Sequence, residues 1–149
     1  MGLNMDANLH LSADELKLVT AILDSFSRRA KFPITLEMLL QDWRNFVIEI
    51  AQGYNDSFAD YTNSLGARDL LEELISQVPP AVQSKLLAAL QPWDAMFIEV
   101  TKAVEEPLLP ILDNVIKKGY WWYRVPSKLG EPPYDLQNWS PYYDHLSET

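Results

Sequence analysis

Apolar side chains recur at three- and four-residue intervals along most of the chain, and this spacing limits the folds that the chain can adopt. Between Thr35 and Gly53 the large apolar side chains form one compact stripe, as expected for a helix that packs one face against a core. Thr35 is a favoured residue before a helix, and Gly53 stands where helices commonly end in glycine. Only residues 120–125 favour an extended conformation, and we find no second alternating pattern that would supply a partner strand for them. The sequence therefore predicts an all-α fold.

The segments on either side of this helix also carry helical signals. Ser12 and Glu15 have the spacing of a capping box, and the apolar positions after them predict a first helix that ends before Pro33. Residues 54–78 carry two apolar stripes, offset by about 130° around a helix. Gly66 lies between the stripes and costs about 1 kcal/mol inside a helix. We therefore expect a break or kink at Gly66, with one helix buried on two sides as the alternative.

The next apolar stripe covers residues 82–104 and keeps one register through Pro92. A proline inside a helix removes a hydrogen bond and bends the axis. We therefore expect either one long helix kinked at Pro92 or two helices nearly in line. In both arrangements the stripe is buried, so Trp93 and Phe97 should be largely buried.

Residues 107–119 predict a last helix, with prolines near its start and a basic turn followed by glycine at its end. A chain of 149 residues has the length of one domain. We expect an all-α single domain with five to six helices. It comprises an N-terminal extension over residues 1–11, a helical bundle over residues 12–119, and an aromatic C-terminal arm over residues 120–149 that belongs to the same domain.

The C-terminal arm lacks helical periodicity and contains eight of the seventeen aromatic residues and four of the ten prolines. So many rings are rarely left exposed on a monomer. We expect an ordered but irregular segment that packs on the helices or on a second copy of the chain. Residues 120–125 favour an extended conformation, for which we find no partner strand.

Four adjacent residues give the arm its most unusual sequence: Trp121, Trp122, Tyr123 and Arg124. Their rings can act as a clasp that seals the bundle with apolar area. They can also form a partner-binding patch, because Trp, Tyr and Arg are enriched at interface hot spots. We favour the clasp, with Trp121 or Trp122 as the anchor and with Tyr142 and Tyr143 packed more loosely.

Charge is distributed unevenly along the chain. The sequence has 12 basic and 21 acidic residues and a formal net charge of −9. Residues 32–116 hold thirteen acids and four bases, so the excess lies entirely in the middle of the chain. This balance argues against a nucleic-acid-binding protein and against a basic membrane-surface protein. We expect a continuous acidic surface over the second and third helical segments, formed by Glu49, Asp56, Asp60, Glu72 and Glu73.

Catalytic and cofactor motifs are absent from the sequence. There is no cysteine, and the two histidines, His10 and His145, lie near the ends, so we expect no thiolate nucleophile and no metal site. The five glycines are too dispersed for a dinucleotide fingerprint or a phosphate loop, and we expect no cofactor. Asp56 and Asp60, one helical turn apart, suit acid–base work only if burial separates their pKa values. We favour a capping role for them.

These observations favour binding over catalysis. We expect a non-enzymatic protein whose acidic helical surface docks a basic protein partner, as in an inhibitor or immunity-type module. The alternative is a small helical enzyme or ligand-binding protein with a carboxylate-lined aromatic pocket. The candidate partner-binding residues are Asp56, Asp60, Glu72, Glu73, Trp121, Trp122, Tyr123 and Arg124.

The sequence also bears on the cellular location of the protein. It has no signal-peptide pattern and no apolar run of membrane-spanning length. We therefore expect a cytoplasmic protein with no membrane or nucleic-acid partner. A homodimer is compatible with the sequence.

Overall fold

A computed structural model describes residues 9–108, 120–131 and 135–143 of the chain. The described part is mostly helical, as predicted. Its long helices are α1 (Ala13–Ala30), α2 (Leu36–Ala51), α3 (Phe58–Gln77) and α4 (Pro80–Val100). Its other elements are strands β1 (Thr101–Ala103) and β2 (Arg124–Pro126), the single-turn helix α5 (Leu136–Trp139), and the 3₁₀ turns Tyr120–Tyr123 and Ser140–Tyr142.

The predicted last helix lies mostly over residues 109–119, which are outside the described residues. None of the described helices combines the length and the apolar character that a bilayer crossing requires.

The predicted ends of α1 and α2 are confirmed. The Ser12 hydroxyl accepts a hydrogen bond from the Glu15 amide at 3.1 Å, and the Glu15 carboxylate accepts one from the Ser12 amide at 2.9 Å. The Thr35 hydroxyl accepts from the Met38 amide at 3.1 Å at the start of α2. Gly53, just past the end of α2, has φ +101°, a left-handed conformation that favours glycine.

Helix α3 runs unbroken through Gly66, so the expected break there is wrong. The helix packs against α1, α2 and α4. It buries Tyr61 and Leu65 on one stripe and Leu71 and Leu74 on the other. Apolar burial on two sides outweighs the cost of about 1 kcal/mol for one internal glycine. The alternative arrangement, one helix buried on two sides, is the one observed.

Helix α4 is continuous through Pro92, as predicted, but it ends at Val100 and not at residue 104. Phe97 is fully buried, which confirms the expectation for that side chain. Trp93 is only partly buried, so the expectation is wrong for this residue. Trp93 lies instead beside Arg44, whose guanidinium carbon is 5.5 Å from the centroid of its ring.

A two-stranded antiparallel sheet follows α4. Thr101 pairs with Pro126 and Ala103 with Arg124. The expectation that the arm's extended piece lacks a partner strand is therefore wrong. Strand β1 has three residues, too few to display an alternating pattern, and Val104 imitates a continuation of the helical stripe.

The described part of the C-terminal arm packs on the helices. Trp121, Trp122 and Trp139 are buried, so both predicted anchors are used and Trp139 is a third. Tyr142 is partly buried, as expected. Tyr143 is buried, and its hydroxyl donates to the Pro126 carbonyl. The expectation of looser packing is wrong for Tyr143 because β2 places an acceptor beside it.

The arm also completes the start of α3. The Asp135 carboxylate accepts a hydrogen bond from the Phe58 amide at 2.8 Å, and the Trp139 indole donates to the Asp56 carbonyl at 3.1 Å. The Trp139 ring lies 5.1–6.0 Å, between centroids, from the rings of Tyr54, Phe58 and Tyr61. One aromatic cluster thus joins the arm to the body.

Candidate functional site

Asp56 and Asp60 lie at the N-terminal end of α3, and both are exposed. The cap itself is Ser57, whose hydroxyl accepts from the Asp60 amide at 3.0 Å. Asp56 accepts from the Ser57 amide at 2.9 Å, which fixes its side chain just outside the helix. Their negative charges are favourable at this helix end, but the capping side chain is that of Ser57, so the capping role that we favoured for the two aspartates is wrong.

Glu49, at the end of α2, adds a third carboxylate to this region. Partial burial raises the pKa of Glu49, and the charges of Asp56 and Asp60 raise this pKa further. We call Glu49, Asp56 and Asp60 the acidic cluster. None of the three forms an ion pair among the residues that the structure describes.

A groove between α2 and α3 runs beside the acidic cluster and has a volume of about 380 Å³. Residues Asp42, Asn45 and Glu49 line it from α2, at helical spacing, and Asn63 and Ser64 line it from α3. Partial burial raises the pKa of Asp42. The groove is polar and carries two carboxylates, so a cationic or hydrogen-bonding group would suit it.

Glu72 and Glu73 do not join the acidic cluster as free charges. Glu72 forms an ion pair with Arg68 at 3.0 Å, and Glu73 forms one with Arg29 of α1 at 3.1 Å. Two of the five carboxylates in the expected acidic surface thus have a basic partner, although Glu72 shares Arg68 with Asp94. Of the five, Glu49, Asp56 and Asp60 have no ion pair among the described residues, and they lie at the end of α2 and the start of α3.

The four aromatic and basic candidates of the arm are held by contacts within the chain. The Trp121 and Trp122 indoles donate to the two carboxylate oxygens of Asp69, at 2.9 and 2.8 Å. The Tyr123 carbonyl accepts from the Val104 amide at 2.8 Å. The Arg124 guanidinium donates to the hydroxyl and carbonyl oxygens of Thr101, at 2.7 and 2.9 Å. All five hydrogen bonds fit a clasp.

Sequence reasoning missed a buried polar network beneath this clasp. Arg68, 3% exposed, donates from Nε and Nη2 to the two carboxylate oxygens of Asp94, at 3.0 and 2.8 Å. The Trp43 indole donates to the same Asp94 at 2.9 Å. The Arg68 guanidinium carbon lies 4.5 Å from the centroid of the Trp121 ring.

The network is structural in character because its charged groups pair with one another inside the chain, Arg68 with both Asp94 and Glu72. Burial by itself would lower the pKa of Arg68, but the hydrogen bonds and charges of Asp94 and Glu72 raise it overall. The arginine therefore stays charged. One signal in the sequence pointed to it: Arg68 lies three residues after Leu65 and seven after Tyr61, on an apolar stripe of α3.

The described residues contain no group of three or more His, Cys, Asp or Glu side chains that could hold a metal ion. No protein-family model, curated protein or solved structure matches this chain. Its function is therefore inferred from geometry and charge.

Proposed function

We propose that this chain is a non-enzymatic binding protein that docks a basic protein partner, in the manner of an inhibitor or immunity-type module. The acidic cluster and the adjoining groove form the docking surface. One observation carries the proposal. The charges of Asp56 and Asp60 help to raise the pKa of Glu49, and no cation among the described residues is ion-paired with any of the three carboxylates.

Electrostatics explains why such a surface would recognise a cation. Like charges that repel one another in the free protein gain most when an opposite charge arrives. An acidic patch also accelerates encounter with a basic partner, by an amount that falls as salt is added. The polar lining of the groove favours charged and hydrogen-bonding contacts over apolar burial. We therefore expect binding that is specific to cations and strongly sensitive to salt.

A matched pair of triple variants tests the proposal. Glu49→Gln, Asp56→Asn and Asp60→Asn together neutralise the acidic cluster. Asp24→Asn, Glu99→Gln and Glu105→Gln remove the same net charge from exposed positions elsewhere. The probe is an oligolysine peptide, and its affinity for each protein is measured by isothermal titration calorimetry at low and high salt.

We expect the wild type and the control variant to bind the peptide at low salt and to lose affinity as salt increases. The cluster variant should bind at least about tenfold more weakly than the control at low salt. Circular dichroism would verify that both variants remain folded. Equal affinities for the two variants would contradict the proposal, because net charge alone would then explain the binding.

A further inference from the structure

Tyr54 occupies an unusual position beside the acidic cluster. It is 2% exposed, and its ring packs against those of Phe46, Tyr61 and Trp139 at centroid distances of 5.4–6.0 Å. The ring is thus fixed in the aromatic cluster that joins the arm to the body. A buried tyrosine of this kind normally gives its hydroxyl a hydrogen-bond partner.

The Tyr54 hydroxyl has no such partner among the residues that the structure describes, and it is not sealed from solvent. The two neighbouring tyrosines behave differently. The Tyr61 hydroxyl donates to the Arg124 carbonyl at 2.9 Å, and the Tyr143 hydroxyl donates to the Pro126 carbonyl. Of these three buried tyrosines, only Tyr54 keeps its hydroxyl available for an outside group.

The residue opens into a recess of about 290 Å³ between the end of α2 and the start of α3. Its lining residues are Glu49, Gln52, Gly53, Tyr54, Asn55 and Asp56. The lining thus includes Glu49 and Asp56 of the acidic cluster together with Tyr54, whose phenol is near enough for the charges of both carboxylates to raise its pKa. All three groups can accept hydrogen bonds.

The backbone of the recess is held in place by the arm. The Gly130 amide donates to the Tyr54 carbonyl at 2.7 Å. A Cβ atom at Gly130 would lie 2.4 Å from the Gly53 carbonyl oxygen, so the two glycines approach as closely as their backbones allow. A recess whose walls are fixed in this way needs little rearrangement to bind a ligand.

The chemistry of the recess suits an organic cation. Burial raises the pKa of Tyr54, and the nearby charges of Asp56, Glu49, Asp60 and Asp135 raise it further. The phenol therefore stays neutral and available as an acceptor. The described part of the chain has no group of three or more carboxylates that could hold a metal ion. A cation with several N–H donors, such as an ammonium or a guanidinium group, therefore fits these acceptors better than a metal ion does.

We infer that this recess accepts one lysine or arginine side chain of the basic partner, with the Tyr54 hydroxyl and the carboxylates of Glu49 and Asp56 as acceptors. The inference rests on the proposed function and adds to it a defined contact point. It predicts that a single hydroxyl, which carries no charge, contributes to the recognition of a cation.

Two conservative variants separate binding from folding. Tyr54→Phe removes the unpaired hydroxyl, so it should leave the stability unchanged and weaken the binding of an oligolysine or oligoarginine peptide by about five- to tenfold. Tyr61→Phe removes a hydroxyl that is bonded inside the protein. It should lower the stability and leave the peptide affinity unchanged. Affinity is measured by isothermal titration calorimetry and stability by urea denaturation.

A second comparison gives an independent reading. Glu49→Gln, which lines the recess, should weaken binding more than Asp24→Asn, which removes the same charge from α1. If Tyr54→Phe binds both peptides as tightly as the wild type while the triple cluster variant loses binding, the inference is overturned and the proposed function stands. If the wild type binds neither peptide at low salt, the proposed function fails and the inference fails with it.

Discussion

Asp69 is one of the residues that attach the C-terminal arm to the helices, and Asp69→Asn tests how much its carboxylate contributes. Asp69 accepts one indole N–H on each oxygen, from Trp121 at 2.9 Å and from Trp122 at 2.8 Å. Asparagine keeps the shape but offers one oxygen and one amide group, so one indole must face another donor. A hydrogen bond to a charged group contributes about 1.5–3 kcal/mol. Since Asp69 is partly exposed, we expect a loss of about 2 kcal/mol in the free energy of unfolding.

Urea denaturation, followed by far-ultraviolet circular dichroism and by tryptophan fluorescence, measures this loss. Asp24→Asn is the control, because it makes the same charge change on an exposed part of α1 and should stay within about 0.5 kcal/mol of the wild type. A fluorescence transition that precedes the loss of helix would show that the arm detaches first. If Asp69→Asn is as stable as the control, the two indole contacts do not hold the arm and the reasoning is refuted.

Three further predictions concern the body of the fold. Phe97→Ala should lower the free energy of unfolding by about 3–5 kcal/mol in urea denaturation, and a near-neutral result would contradict the burial of the α4 stripe. Gly66→Ala should raise the free energy of unfolding by about 0.5–1 kcal/mol, since the added Cβ would meet no atom within 4 Å. A lower melting temperature for this variant would contradict the prediction. Burial and the charges of Asp56 and Asp60 raise the pKa of Glu49 in the folded state above its ordinary value of 4.5. Ionisation of Glu49 is therefore less favourable in the folded state than in the unfolded state. The free energy of unfolding should fall as the pH rises from 4.5 through the raised pKa. Glu49→Gln should lessen that decline above pH 4.5, as measured by urea denaturation at a series of pH values. Identical pH profiles for the two proteins would count against the cluster.

What could be predicted from the sequence was local. Ser12 and Thr35 cap helices through residues three positions away, and an apolar stripe needs only its own spacing to be recognised. The continuity of α3 through Gly66 could not be predicted in the same way, because it depends on the neighbours that α3 has on both sides. Strand β1 escaped notice because only its pairing with β2, more than twenty residues later, defines it.

For the candidate site, too, local features could be predicted from the sequence, whereas contacts between distant residues could not. Charge counting predicted that some carboxylates stay unpaired, because acids outnumber bases in the middle of the chain, but it did not identify which ones. It could not say that Glu72 meets Arg68, or that Arg68 is neutralised by Asp94, 26 residues further along. The recess at Tyr54 depends on Gly130, which no local pattern connects to it.

Asp135 and Trp139 can reach α3 only after the ribosome has added the residues that separate them from this helix. At typical translation rates the ribosome needs roughly 3–12 s to add the residues between the end of α3 and Trp139. During this interval the Phe58 amide lacks its carboxylate acceptor, and the rings of Tyr54, Phe58 and Tyr61 lack the indole that covers them. The nascent chain therefore presents an aromatic surface that the finished protein hides. During those seconds, chaperones can bind this exposed aromatic surface, and nascent chains can aggregate through it.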